Sequence, residues 1–252
     1  MGGYEFLNGF FDKIVVISLK RATERHPRIE ERLRGLRYEI HWGTDKDEMD
    51  LAALERSGAW SPARARQVHR NSKLMAPGHV GCAFSHRAVW QAIVENGWSR
   101  TLIFEDDVLP RPEARGPLVE QALGELPAGW DLVYLGYEHG EVTRPWDRVK
   151  QASYLAFSAL RLIKWTPRQV LGLHPSPFSP HLRRAGKHHG AHAYGVTQRC
   201  ARILLEAQTP VAWMADQLLL HLAIGRDVEA FLTEPKFFDQ DSLQGTTRTY
   251  TT

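Results

Sequence analysis

Short runs of apolar, β-branched residues alternate along this chain with longer stretches in which apolar residues recur every three or four positions. Lys13 to Leu19 (KIVVISL) is the first such run and predicts a buried strand. Tyr38 to Trp42, Thr101 to Phe104, Asp131 to Leu135 and Ala193 to Val196 predict further strands. Between them, Pro27 to Leu33 begins with proline in its first turn and ends near Gly35, and Asp50 to Ser57 closes at Gly58, so both read as short helices. The clearest helix runs from Val80 to Asn96, introduced by Pro77-Gly78 and stopped by Gly97. Its residues Cys82, His86, Val89 and Ile93 fall on one face of a 3.6-residue period. Thr197 suits the cap of a helix over Gln198 to Glu206, and Met214 to Ala223 reads as another apolar helix. This alternation predicts an α/β fold, a largely parallel central sheet flanked by helices, in a single domain over residues 1–252.

Two segments break the pattern. Residues 138–180 combine little periodicity with many aromatics and several prolines, which reads as an irregular insertion serving as a lid or acceptor-binding region. From Phe237 onward the chain turns polar and rich in threonine, so 240–252 reads as a loosely held tail.

Composition narrows the class. Of 252 residues, 43% are hydrophobic and 24% charged, enough apolar material for a core, which excludes intrinsic disorder. Cys82 and Cys200 are the only cysteines, which excludes a disulfide scaffold and suits a reducing compartment. No apolar run approaches the roughly 20 residues of a membrane span, the first residues lack a basic-then-apolar leader, and no Asn-x-Ser/Thr sequon occurs. The expectation is a cytoplasmic protein, with room for peripheral contact at the inner face of the cell membrane. A net charge of +3 permits an anionic partner such as a nucleotide, a phosphoglycan or a lipid surface without requiring one.

The strongest chemical signal is Glu105-Asp106-Asp107 directly after a hydrophobic strand. Ligands of open α/β sheets gather at the carboxyl ends of strands. Adjacent carboxylates repel one another unless a cation or a solvated turn relieves them. Mg²⁺ or Mn²⁺ is the cation class that oxygen donors favour, and a solvated acidic turn is the alternative. Lys20, Arg21 and Arg25 follow the first strand and could meet a diphosphate or a base edge, or form a solvated basic loop. No Gly-x-Gly-x-x-Gly or P-loop is present. His86 points inward beside Ser85, where a core histidine donating to a carbonyl is the default, and Cys82 has no partner at metal-ligand spacing. Asp216 is one carboxylate in an apolar run, either a first-turn acid favoured by the helix dipole or a general base. His181 to His192 is crowded with basic and titratable side chains, a surface for an anionic acceptor or a solvated loop.

In this order the segments resemble glycosyltransferase family 25, the lipooligosaccharide galactosyltransferases whose fold procollagen galactosyltransferases share. Ile14 to Arg21 with Thr23-Glu24-Arg25 looks like the family's opening strand and basic turn, with Ser18 where Asn is usual. Trp42-Gly43-Thr44-Asp45-Lys46 is similar to its Asp-Gly turn, with Lys46 replacing the glycine. Pro77 to His86 resembles its Gly-x-x-Gly-Cys-x-x-Ser-His segment, Leu102 to Val108 its Glu-Asp-Asp strand end, and His192 to Thr197 its Ala-Tyr-x-x-Ser/Thr stretch. The resemblance implies a GT-A type nucleotide-sugar fold and inverting transfer of a hexose, usually galactose, from a UDP-sugar to an oligosaccharide or glycolipid. No nucleic-acid partner is implied. It further implies Mn²⁺ or Mg²⁺ held by Glu105 and Asp107, with Ser18, Lys20, Arg21, Arg25, Asp45, Ser85, His86 and Asp106 around the nucleotide and Asp216 as the base. A catalytically silent relative and a metal-dependent phosphohydrolase are the competing expectations.

Overall fold

A computed structural model of the chain describes residues 4–69, 75–138, 145–163 and 165–241. After helix α1 (Glu5–Phe10) come strand β1 (Lys13–Ser18), α2 (His26–Arg32), β2 (Glu39–Trp42), α3 (Leu51–Arg56), α4 (Pro62–Val68) and the 20-residue α5 (Pro77–Asn96). Then follow β3 (Arg100–Glu105), β4 (Val108–Pro110), α6 (Pro117–Gly124), β5 (Leu132–Glu138), α7 (Pro145–Ala159) and α8 (Pro167–Leu171). The last part holds β6 (Ser176–Ser179), β7 (Leu182–Arg184), β8 (His189–Thr197), α9 (Gln198–Ala207), α10 (Ala215–Gly225), β9 (Ala230–Thr233) and β10 (Phe238–Gln240).

The strands form one sheet in the order β2-β1-β3-β8-β5-β9-β7-β6, with β10 between β5 and β4. The expectation of a largely parallel sheet is corrected. β1 is parallel to β2 and β3, and β5 to β9 and β10, but β8 runs antiparallel between β3 and β5, as do the pairings of β7 with β9 and with β6. The sheet is mixed, a difference that strand composition does not encode when a strand is buried on both faces.

Both faces are covered, because successive strand residues point to opposite sides. Ile14, Val16, Leu102, Phe104, Val133 and Leu135 face one core, closed by residues of α1, α2 and α6 such as Leu7, Ile29 and Val119. Val15, Ile17, Ile103, Leu132 and Tyr134 face the other, under α5, α9 and α10. Two glycines set how closely α5 approaches. A β-carbon on Gly81 would lie 2.6 Å from the Thr44 carbonyl oxygen, and one on Gly43 would lie 2.8 Å from Ser85 Oγ. Side chains there would push the start of α5 away from the loop after β2.

Three expectations are revised. The stretch read as irregular contains the 15-residue α7 and the capped helix α8, whose Thr166 and Gln169 form a reciprocal capping box. The strand expected over Ala193 to Val196 is β8, which reaches back to His189, and His188 and His192 of the basic stretch are buried rather than displayed. The polar tail begins later than its composition indicates: Phe237 and Phe238 are fully buried and β10 pairs with β4 and β5, while 242–252 lies outside the described residues.

His188 carries a consequence for pH. Its Nδ1 lies 2.6 Å from the Gly186 carbonyl oxygen and its ring sits edge-on to Tyr134 at 4.1 Å. Burial pushes its pKa down to about 4, against a weaker upward effect of the Gly186 hydrogen bond. Below pH 6.5 the unfolded chain therefore binds a proton that the folded chain refuses until about pH 4. Stability from this group is complete above pH 6.5 and is lost as pH falls toward 4. Urea unfolding at pH 5 should find about 2 kcal/mol less of this contribution than at pH 7. A His188→Phe variant should show a correspondingly flatter acid limb, and an unchanged limb would remove His188 as its source.

Candidate functional site

The mixed sheet brings distant segments to one edge. β1, β2, β3, β5 and β10 all end there, and the antiparallel β8 begins there. Each chain exit adds residues to a narrow cleft of about 150 Å³: Ser18 and Leu19 after β1, Thr44 and Lys46 after β2, Glu105, Asp106 and Asp107 at the end of β3, and Gln240 from β10. Gly78, Cys82, Ser85 and His86 of α5 form its other wall, so the first turn of a long helix faces the opening with its partial positive charge. Glu105, Cys82 and Gln240 also line a second cavity of about 560 Å³, with Glu138, His189 and Asp216 on its far side. That volume lies within the roughly 300–1,000 Å³ of small-molecule sites.

The three adjacent acids have three different fates. Asp106 turns inward. Its Oδ2 accepts from Ser18 Oγ at 2.8 Å and its Oδ1 pairs with Arg25, both partners being buried. Burial raises the Asp106 pKa, opposed by Arg25 and Ser18. Asp106 and Arg25, both expected at the nucleotide, thus form an internal ion pair that fixes the β3 exit against the β1 exit.

Glu105 is held by a chain of polar groups from the second core. Trp90 Nε1 donates to Tyr194 Oη at 3.1 Å, Tyr194 Oη lies 2.7 Å from His86 Nδ1, and His86 Nε2 lies 3.3 Å from Glu105 Oε1. The indole can only donate. The assignment that uses every proton runs from Trp90 to Tyr194, from the Tyr194 hydroxyl to His86 Nδ1, and from His86 Nε2–H to the carboxylate. Burial pushes Glu105 upward, but the His86 hydrogen bond and the positive charge around it bring its pKa below the usual carboxylate value. It stays ionised at the cleft.

Asp107 and Glu105 converge on one group. Gln240 Nε2 lies 3.3 Å from Glu105 Oε2 and 3.3 and 3.1 Å from the two Asp107 oxygens. A partially positive amide nitrogen sits between two carboxylates. The donors are hard oxygens, and an amide turned by half a rotation would offer a third, so the group fits a hard divalent cation. Cys82, His86 and Glu105 also bring ligand atoms within 4.8 Å of one another. That grouping suits a metal poorly: His86 is engaged on both nitrogens, and burial with the nearby acids pushes the Cys82 thiol well up, away from the thiolate a metal needs.

The other expected residues divide. Ser85 lines the cleft, but its hydroxyl donates to Gly81 O at 2.7 Å and accepts from Thr44 N at 2.8 Å, tying α5 to the loop after β2. Lys20 is exposed and, with Arg21, lies outside the cleft lining. Arg21 instead pairs with Asp45 at 2.6 Å and with Asp47. Asp45 accepts from Asp47 N at 3.0 Å and caps the turn over Lys46–Glu48. Arg21 and Asp45 thus hold the loops after β1 and β2 together, a basic residue beside an acidic turn finding its counter-ion there. Asp216 enters the second cavity from the first turn of α10, 3.2 Å from Gln217 Nε2. Gln240 and Lys46 were missed. Gln240 sits in a polar stretch with no local signal, and only the β10 pairing delivers it.

A family model described as "Glycosyltransferase family 25 (LPS biosynthesis protein)" matches residues 11–219, which takes in every residue of this cleft except Gln240. The human protein named "Inactive glycosyltransferase 25 family member 3" is 31% identical over 131 residues, covering 50% of this chain and 22% of its own. Human "Procollagen galactosyltransferase 2" is 25% identical over 167 residues, 65% of this chain and 26% of its own. A "Glycosyltransferase 25 family member" of Anopheles gambiae is 30% identical over 131 residues, 49% of this chain and 21% of its own. The matches thus span about a quarter of the length of these curated relatives. With the family match extending from just before β1 into α10, the chain belongs to glycosyltransferase family 25.

Proposed function

We propose that the protein transfers a hexosyl group, galactosyl first among candidates, from a UDP-sugar to a hydroxyl of a glycan or glycolipid acceptor, with inversion, in cell-surface glycan assembly. The observation that carries this reading is the convergence of Glu105 and Asp107 on Gln240 at a cleft that opens directly into the cavity of Asp216. Two functions need two places: one that holds the leaving diphosphate and one that activates the attacking hydroxyl. The cleft offers the first, with oxygen donors at its base and the start of α5 beside it. The second cavity offers the other, a carboxylate away from the ion pairs of the first.

Glu105 and Asp107 would hold a divalent cation, with Gln240 able to turn its oxygen inward. When bound, that cation supplies positive charge to the departing diphosphate. Asp216 Oδ takes the proton of the acceptor hydroxyl as it attacks from the face opposite the leaving group. The name of the human procollagen galactosyltransferase supports galactose as donor sugar, and the family's description supports a lipopolysaccharide-type acceptor.

The decisive experiment incubates the purified chain with UDP-galactose, Mn²⁺ and a panel of oligosaccharide acceptors and measures acceptor-dependent UDP release. A binding-only relative is the second reading, favoured by the human relative whose name calls it inactive. It would bind UDP in the presence of Mn²⁺ and release nothing. A phosphohydrolase would instead free phosphate from simple esters without an acceptor.

The donor set has a test of its own. Asp107→Asn should weaken Mn²⁺ binding to the chain in calorimetry by about 10–100-fold, and Gln240→Leu by less, because one loses a charge and the other a dipole. Equal Mn²⁺ affinity in the Asp107→Asn variant would dismiss this pair of carboxylates as the ion site.

A further inference from the structure

Apart from Trp42 and Phe178, every large apolar side chain exposed among the described residues lies between 146 and 171. Its centre is α7, which is turned the wrong way for a helix of a folded domain. The face toward the protein is sparsely apolar: Leu155 packs with Val170, Leu173 and Ile224, while Gln151 and Ser158 hydrogen-bond to the carbonyls of Val170 and Trp165 at 2.7 and 2.5 Å. The outward face carries Trp146, Val149 and Phe157, three and eleven residues apart from the first and so on one stripe, with Leu160 continuing the stripe past its end. Trp146 is 64% exposed and Leu160 and Leu162 68% each. A helix normally buries such a stripe, and exposed apolar patches of this kind mark interaction surfaces.

Charge indicates the partner. Between positions 145 and 171 stand Arg148, Lys150, Arg161, Lys164 and Arg168 against the single acid Asp147. Lys150 lies within the apolar stripe and Arg161 at its end, both exposed. Aromatic and aliphatic side chains flanked by cations, on a helix that packs by its other face, match the surface of an anionic bilayer. No helix among the described residues is long and apolar enough to cross a membrane, so this segment would lie on one.

We propose that α7 and the turn after it seat the protein on an anionic lipid surface, with Trp146, Phe157, Leu160 and Leu162 entering the interface and Lys150 and Arg161 at headgroup level. Trp165, which follows this turn, lines a cavity of about 610 Å³ that shares His189 with the Asp216 cavity, so the seat adjoins the far end of the site. The proposal stands independently of the chemistry assigned to the cleft.

The test is cosedimentation of the full chain with vesicles of phosphatidylcholine containing about one third phosphatidylglycerol, and with phosphatidylcholine alone. Binding should be at least about tenfold tighter to the anionic vesicles and should weaken at high salt. The Trp146→Ser/Phe157→Ser/Leu160→Ser variant, folded by circular dichroism, should lose about tenfold or more. Lys150→Glu/Arg161→Glu, which leaves the apolar stripe intact, should lose binding to anionic vesicles alone. Absence of binding to anionic vesicles, or equal binding by the charge-reversed variant, overturns the proposal. A dimer in ultracentrifugation that the serine variant dissolves overturns it too, by assigning the face to a second copy of the chain.

Discussion

Asp216→Asn should lower acceptor-dependent turnover by about 10²–10⁴-fold while UDP binding in the presence of Mn²⁺ stays within about twofold of the unaltered chain. The separation follows from where the carboxylate stands. Asp216 lines the 560 Å³ cavity and not the narrow cleft where Glu105, Asp107 and Gln240 converge. Losing its charge removes a proton acceptor from the acceptor side and leaves the diphosphate side untouched. Asparagine is close in shape, and losing a first-turn acid costs a helix about 0.3–1 kcal/mol, too little to unfold a domain of this size. A structural role would thus appear as a small drop in thermal midpoint with turnover preserved; a catalytic one would leave the midpoint nearly constant and abolish turnover. Asp216→Glu, which keeps a carboxylate in this cavity, should retain more turnover than Asp216→Asn. Turnover equal to that of the unaltered chain would end the assignment.

What could be read in the residues differs between strands, turns and the site. β1, β3 and β5 are legible because each is a short apolar run bounded by polar residues, buried on both faces. Their relative direction is not, because a strand covered on both sides carries the same composition whether parallel or antiparallel, and β8 was the strand that made the difference. α7 escaped for the opposite reason: its apolar residues mark the outer face, so the inward stripe that announces a helix is reduced to Leu155. At the site, Glu105-Asp106-Asp107 stood out as a cluster, yet their division into a pair that meets Gln240 and a buried partner of Arg25 depends on Ser18 and Arg25, 88 and 81 residues from Asp106, and on Gln240. Gln240 is 135 residues from Glu105, and no local pattern links the two. Ser85 and His86 were legible as inward-facing, but the use of their polar atoms was not, since Gly81, Thr44 and Tyr194 are named only by the fold.

Arg25→Met should destabilise the fold by about 3–5 kcal/mol in urea unfolding at pH 7, the range for removing one partner of a buried ion pair. Arg25 is 6% and Asp106 8% exposed, so water cannot replace the lost guanidinium around Asp106. Burial raises the Asp106 pKa even with Arg25 beside it, and without Arg25 it must rise further. A buried acid whose folded pKa lies above its unfolded one favours folding when protonated, so this group's contribution falls as pH rises between the two values. The Arg25→Met variant should therefore regain part of its deficit on acidification, opposite in sign to the effect of His188. Adding Asp106→Asn supplies the decisive comparison: with no charge left to bury, the double variant should recover more than half of the loss, and the coupling between the two sites should exceed about 1 kcal/mol. If the second substitution instead adds its own full penalty, the pair is two separate contacts. Since Asp106 stands between Glu105 and Asp107, the rescued variant should also bind Mn²⁺ less tightly than the unaltered chain, because the ion pair ties the β3 exit, from which both acids project, to the loop after β1.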